Sequence, residues 1–338
     1  MSKYIADVYR NKLIESRHRG DAAVVEPDGQ ISYFCGNPEY NTYLRSAAKP
    51  FQILPVINSG AADFFNFSNR EIAVMCSSHN GEEKHIKVVK NILKKIEVEE
   101  DKLKCGVHDP IFKKAAHQLY LDGKKATEIY NNCSGKHAAL LSLCKYMDWD
   151  IKDYISPTHP VQKLMVKTVS EVTSLKKEDI YLGEDGCGVV VFGLPVKNMA
   201  LGFARLANPD YLPQQYREAA KRITKSMSDH PYMVAGSERF NTDLIEVMGN
   251  KLTGKMGAEG VFCLGLFGGS GICVKIEDGN YRALAPVIID ILKNIGVISS
   301  DELKKLKKYE KPILKNHHDH SVGYIESVLQ LKKGVEEL

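Results

Sequence analysis

GVFCLGLF (260–267) and GICVKIED (271–278) are two apolar, β-branched runs joined by Gly268-Gly269-Ser270. Strand-forming runs around a short glycine loop predict a β-hairpin. Near the other end of the chain, AAVVEPDGQISYFCG (22–36) reads the same way around Pro27-Asp28-Gly29. Between the hairpins, apolar residues at spacings of three and four predict helices over 83–97, 109–122, 136–149, 158–174 and 211–228. YLGEDGCGVVVFGLP (181–195) breaks that pattern as a strand or loop crossing the core, and RALAPVIIDILKNIG (282–296) predicts a core-facing helix. Strands at both ends with helices between them mean that the chain leaves a sheet, builds a helical layer and returns. The expected fold is α+β: an antiparallel sheet with flanking helices and an inserted helical region. The expected boundaries are 1–68 for the first hairpin and the segment after it, 69–230 for the helical domain, and 231–338 for the strands and helices that complete the sheet domain.

Composition supports an ordinary globular chain. Of 338 residues, 43% are hydrophobic and 26% charged, which rules out a fibrous or disordered polymer. A formal charge of +4 gives no ground for a nucleic acid or an anionic membrane as partner. No apolar run approaches the roughly 20 residues of a bilayer crossing, and charges interrupt the N-terminal stretch as no secretory signal allows. Cysteines 35, 76, 105, 133, 144, 187, 263 and 273 are irregularly spaced and read as reduced thiols, so the expected compartment is the cytoplasm.

Several clusters could carry chemistry. In Arg45-Ser46-Ala47-Ala48-Lys49-Pro50, a helix starting near Ser46 would put Ser46 and Lys49 on one face, and Pro50 would oppose a start any earlier. A Ser beside a Lys that has lost its charge becomes a nucleophile. The plain alternative is a helix cap and a solvated lysine. Cys76-Ser77-Ser78-His79-Asn80-Gly81-Glu82 gathers polar groups that need partners if buried, or else forms an exposed cap. Cys133, in Asn131-Asn132-Cys133-Ser134-Gly135-Lys136-His137, and Cys187, in Glu184-Asp185-Gly186-Cys187-Gly188, each sit beside glycine in a polar cluster. Thiolates suit zinc, but without C-x-x-C spacing, buried free cysteines are the commoner outcome. Ala235-Gly236-Ser237-Glu238-Arg239 and the segment 253–260 complete the set. The latter could present Lys255 from a sheet edge, or form a plain turn. His18, His85 and His117 fit no local pattern and read as structural or surface residues.

Taken in order, ESRHRGDAAVVEPDG, RSAAKPFQILP, CSSHNGEEKH, LKCGVHDP, NNCSGKHA, GEDGCGV, AGSERFNTDL and KMGAEGVFCLG resemble the asparaginase II family, the rhizobial inducible-type L-asparaginases. The resemblance spans about residues 15–290; no motif is recognised after about 297. It implies a fold similar to serine β-lactamases and glutaminases, and hydrolysis of L-asparagine to L-aspartate and ammonia. On the matching positions it implies a Ser46–Lys49 tandem and a second pair, Ser78 and Lys255, as the catalytic set. It further implies zinc held by Cys133, Lys136 and Cys187, with Arg45, His137 and Asp185 as polar residues for the substrate, and a homodimer. An amide is a poor electrophile, so acyl transfer to a serine would divide one hard step into two. Two other functions fit parts of the pattern. One is a β-lactam- or peptide-directed Ser–Lys acyl hydrolase, although S-D-N and K-T-G are absent. The other is a non-catalytic amino-acid-binding protein.

Overall fold

The computed structural model describes residues 1–334. The chain divides into two compact units. One comprises Met1–Ala47, Leu194–Asn208 and the chain from Asp243 onward; the other comprises Ala48–Gly193 and Pro209–Thr242.

The first unit is built on an antiparallel sheet. Its strands run in the order Ile313–Lys315, Ser321–Ser327, Lys3–Arg10, Leu13–Val25, Gly271–Ile276, Val261–Leu266, Leu252–Gly257. Ile31–Cys35 pairs with the far half of Leu13–Val25, with Ala22 opposite Cys35. Both hairpins read from sequence are therefore present, and Val261–Leu266 faces Gly271–Ile276 with Cys263 opposite Cys273. The α+β class is as expected. The 13-residue strand Leu13–Val25 explains why its first half escaped the reading. From Leu13 to Arg19 exposed and covered positions alternate, so charges such as Arg17 and Arg19 stand on the open face, whereas Gly20 to Val25 is buried throughout. The stretch after 297, which held no recognised motif, supplies Ser321–Ser327, paired to Lys3–Arg10 with Val8 opposite Ile325.

The helix Val196–Ala207 lies against the sheet. Its backbone comes so close that a Cβ on Gly271 would stand 1.9 Å from Ala200 O. Only glycine permits that approach.

The second unit is mainly helical. Lys49–Asn58 packs on Pro160–Thr173 and Arg217–Asp229, and Asn69–Met75 packs on Arg217–Asp229 and Ser134–Tyr146. Asn69–Met75 starts at a reciprocal cap. Ser68 Oγ accepts from the Glu71 amide, and the Glu71 carboxylate accepts from the Ser68 amide at 2.7 Å. That buried carboxylate is also held by Lys95 Nζ and Asn91 Nδ2, each at 2.7 Å. Ser134–Tyr146 is buried through Cys144, as a helix enclosed by others must be. Tyr181–Glu184 and Val190–Pro195 form a hairpin whose turn carries Asp185 and Cys187.

One local expectation is corrected. The α-helix does not begin near Ser46: Arg45–Ala48 is a 3₁₀ turn, entered with Arg45 at φ 51°, and the α-helix opens at Lys49. This start puts Pro50 in the first turn, where a missing N–H has no intrahelical partner to lose. Among the described residues, no helix is long and apolar enough to cross a membrane.

Candidate active site

The helical unit brings three of the sequence clusters into one buried group. Lys49, the first residue of its helix, is 1% exposed. Its Nζ donates to Ser77 O at 2.5 Å, Ser78 Oγ at 3.1 Å and Asn132 O at 3.3 Å. Lys49 Nζ thus bridges the segment after Asn69–Met75 to the segment before Ser134–Tyr146.

The Ser77–Glu82 loop is fixed from several directions. Ser78 N–H donates to Val234 O at 3.0 Å. Glu82 accepts from Ser237 N–H at 2.9 Å and Ser237 Oγ at 2.7 Å, Asn80 Nδ2 donates to Ser237 O at 2.9 Å, and Arg239 Nη1 donates to Asn80 Oδ1 at 3.1 Å. Burial works against the Glu82 charge, yet the bonds from Ser237 and Asn80 hold its pKa below the usual carboxylate value. The adjoining Gly236 has φ 112°, and a Cβ there would stand 2.5 Å from Glu82 Oε2 and 2.6 Å from Asn80 Nδ2.

The start of Ser134–Tyr146 supplies the rest. Lys136 Nζ donates to Cys187 Sγ at 2.9 Å, and Asp185 Oδ2 is 3.8 Å from the same sulfur. Cys187 also hydrogen-bonds Cys133, and this bond, opposed by burial and aided by the charges of Lys49 and Lys136, takes the Cys133 thiol well below its ordinary pKa. Cys187 moves the other way, raised first by its bond with Cys133 and then by burial. For Lys136, burial disfavours the ammonium, but Cys187, Cys133 and Asp185 outweigh it and raise the pKa. The two thiols and the Lys136 amine thus form one electrostatically coupled group, with Cys133 Sγ also 3.1 Å from Asn132 Oδ1.

His137 is buried and its pKa lies well below the usual value, first from burial and then from the charges of Lys136 and Lys49. Its Nδ1 is 2.7 Å from Tyr154 Oη, which accepts from the Lys104 amide at 2.9 Å. With that lone pair used, the tyrosine hydroxyl best donates to Nδ1, which puts the His137 proton on Nε2. Among the described residues Nε2 has no hydrogen-bond partner.

The predicted residues therefore fall in two places. Lys49, Ser78, Cys133, Lys136, His137, Asp185 and Cys187 belong to the helical unit; Arg45, Ser46 and Lys255 belong to the sheet unit. Ser46 lies half-buried in the 3₁₀ turn. Lys255 is buried on Leu252–Gly257, its Nζ donating to Met256 O at 2.6 Å. Sequence reasoning missed the carbonyls of Ser77 and Asn132, which every residue type possesses, and Tyr154, which stands in no motif. The CSSHNGE cluster did signal buried polar groups, without showing what each one holds.

Among the donors expected for zinc, two sulfurs and the Lys136 amine converge. Among the described residues no group of three His, Cys, Asp or Glu side chains could hold a metal ion. A zinc set here would therefore need the lysine amine, with its proton released, as third ligand beside two thiolates, which are soft donors suited to zinc.

Several solved structures resemble the chain at low identity. The native form of Mglu is 14% identical, with 87% of this chain and 69% of that one covered and a TM-score of 0.39. Bacillus glutaminase in 4.3M NaCl is 13% identical, covering 82% and 91%, TM-score 0.39. The probable glutaminase ybaS is 16% identical, covering 82% and 85%, TM-score 0.39. The chain spans 62–69% of the length of the first four Mglu structures. No curated protein matches it. The family model described as L-asparaginase II matches residues 6–327, so the chain belongs to the L-asparaginase II family of amidohydrolases.

Proposed function

We propose that this amidohydrolase is an L-asparaginase, releasing ammonia from the side-chain amide of L-asparagine by serine acyl transfer. The observation that carries the reading is the buried Lys49 side chain, its Nζ 3.1 Å from Ser78 Oγ, in a chain of this family. The family resemblance gives two Ser–Lys pairs, either of which fits the chemistry; in the proposed cycle Ser46 attacks, with Lys49 as base and Ser78 and Lys255 relaying the proton or orienting the substrate. In its uncharged form, Lys49 takes the hydroxyl proton as the serine oxygen bonds to the amide carbon. The C–N bond then breaks, the proton passes to the leaving nitrogen, and ammonia departs. Water next attacks the ester, returning the serine hydroxyl and giving L-aspartate. The bond between Lys49 and Ser78 suits the relay, since a proton on Nζ has Ser78 Oγ as immediate acceptor.

His137 suits the substrate-binding role, because among the described residues its Nε2 has no hydrogen-bond partner. Arg45 and Asp185 complete that proposed set. Zinc is likewise proposed, held by Cys133, Lys136 and Cys187; it would shape the site and position the substrate. The homodimer, from the same resemblance, is read by sedimentation velocity.

The experiment is ammonia release from L-asparagine and L-glutamine, with nitrocefin in parallel, before and after chelator. Turnover of L-asparagine is the expected result. Nitrocefin cleavage without ammonia release would establish the β-lactam-directed reading instead, and binding of L-asparagine without turnover would establish a binding protein.

A further inference from the structure

Lys49 is not the only bridge between the Ser77–Ser78 segment and the Asn132–Ser134 segment. His79 makes a second, parallel to it. The ring is fully buried, with Nδ1 accepting from Gly81 N–H at 3.1 Å and Nε2 lying 2.8 Å from Ser134 Oγ. Since Nδ1 is an acceptor, the proton must be on Nε2, which donates to Ser134. The Ser134 hydroxyl passes the chain on, donating to Ile129 O at 2.9 Å. Each atom in this line has a partner and only one set of proton positions satisfies all of them. Rings fix the face as well: His79 stacks on His85 at 5.2 Å and 15°, and His85 stacks on Tyr232 at 4.9 Å and 4°. An apolar side chain could fill this volume, but only a neutral imidazole or a carboxamide can accept from Gly81 and donate to Ser134 at once.

We propose that His79 is a positioning residue: it ties Ser78 to the start of Ser134–Tyr146, so that Ser78 Oγ stays within hydrogen-bond reach of Lys49. The proposal rests on the Ser–Lys reading given above. Displacements near 1 Å at reacting groups lower rates by up to about 100-fold.

The test uses His79→Leu, His79→Gln and Ser134→Ala in the full-length protein, with kcat and KM from ammonia release. His79→Leu should lower kcat by about 10–100-fold while KM stays within about threefold, the signature of lost catalytic geometry rather than lost binding. His79→Gln, which keeps one acceptor and one donor, should recover most of the loss. Ser134→Ala should reproduce part of the defect and add nothing to His79→Leu, because both remove the same link. Wild-type kcat in His79→Leu, no recovery by Gln, or losses that multiply in the double variant would each overturn the proposal. If His79→Leu does not fold, Ser134→Ala carries the test. A wild-type protein that releases no ammonia refutes the functional reading separately. The link is then read from amide hydrogen exchange at Gly81 and in the first turn of Ser134–Tyr146, which should quicken in His79→Leu and recover in His79→Gln, and would be unchanged if His79 merely fills space.

Discussion

Replacing Gly236 by alanine tests whether the 235–239 segment holds the Ser77–Glu82 loop in place. At φ 112° the backbone is in a region that an alanine reaches at a penalty of about 1–2 kcal/mol. The added methyl would also stand 2.5 Å from Glu82 Oε2 and 2.6 Å from Asn80 Nδ2, so these side chains must move. Their movement disrupts the bonds from Ser237 to the Glu82 carboxylate, and a hydrogen bond to a charged group contributes about 1.5–3 kcal/mol. Counting the loss of one such bond, the sum is about 2.5–5 kcal/mol. For 338 residues the unfolding entropy near the midpoint is about 0.7 kcal/mol/K, so Tm should fall by about 4–7 °C in scanning calorimetry. Because Ser78 N–H is bonded to Val234 O, two residues before the substitution, ammonia release should drop by about 10–100-fold as well. Ser237→Ala, which removes only the hydroxyl bond to Glu82, should give a smaller change in both. Wild-type Tm together with wild-type turnover in Gly236→Ala would refute the idea that this network positions Ser78.

Other outcomes follow from the same group of side chains. Lys49→Met and Ser78→Ala should each lower ammonia release by about 10²–10⁴-fold, the range for a positioned proton-transfer group; turnover near wild type in either removes that residue from the cycle. Glu82 has a folded pKa below its unfolded value, so it contributes stability that is present above the unfolded pKa and is lost as pH falls through the folded one. Thermal midpoints of Glu82→Gln measured from neutral to acidic pH should therefore show a shallower acid decline than wild type, and parallel curves would contradict this. Cys187→Ser should lose bound zinc in elemental analysis, and full retention would remove Cys187 as a ligand.

The legible part of the fold was the part written in local periodicity. The hairpin Val261–Leu266/Gly271–Ile276 was readable because its apolar runs flank a glycine loop, and the helix Pro160–Thr173 because its buried side repeats with the helical period. Lys3–Arg10 and Ser321–Ser327 were not, since each has one neighbour close in the chain but is set into the sheet by pairing with the other, more than 300 residues away, which leaves no local trace. Val196–Ala207 fell in none of the elements expected from sequence, and only its packing on the sheet gives glycine at 271 a reason.

Residue types and their order determined the chemistry on offer: serines and lysines in motifs, cysteines beside glycine, a histidine after Lys136, and with them the family. Tertiary structure decided which groups meet. Lys49 finds Ser78 and two backbone carbonyls, Lys136 finds Cys187 across 51 positions, and His79 finds Ser134 across 55. Spacing along a chain controls contacts within a turn or two of helix, whereas a buried polar group must satisfy itself with whatever the fold brings alongside it.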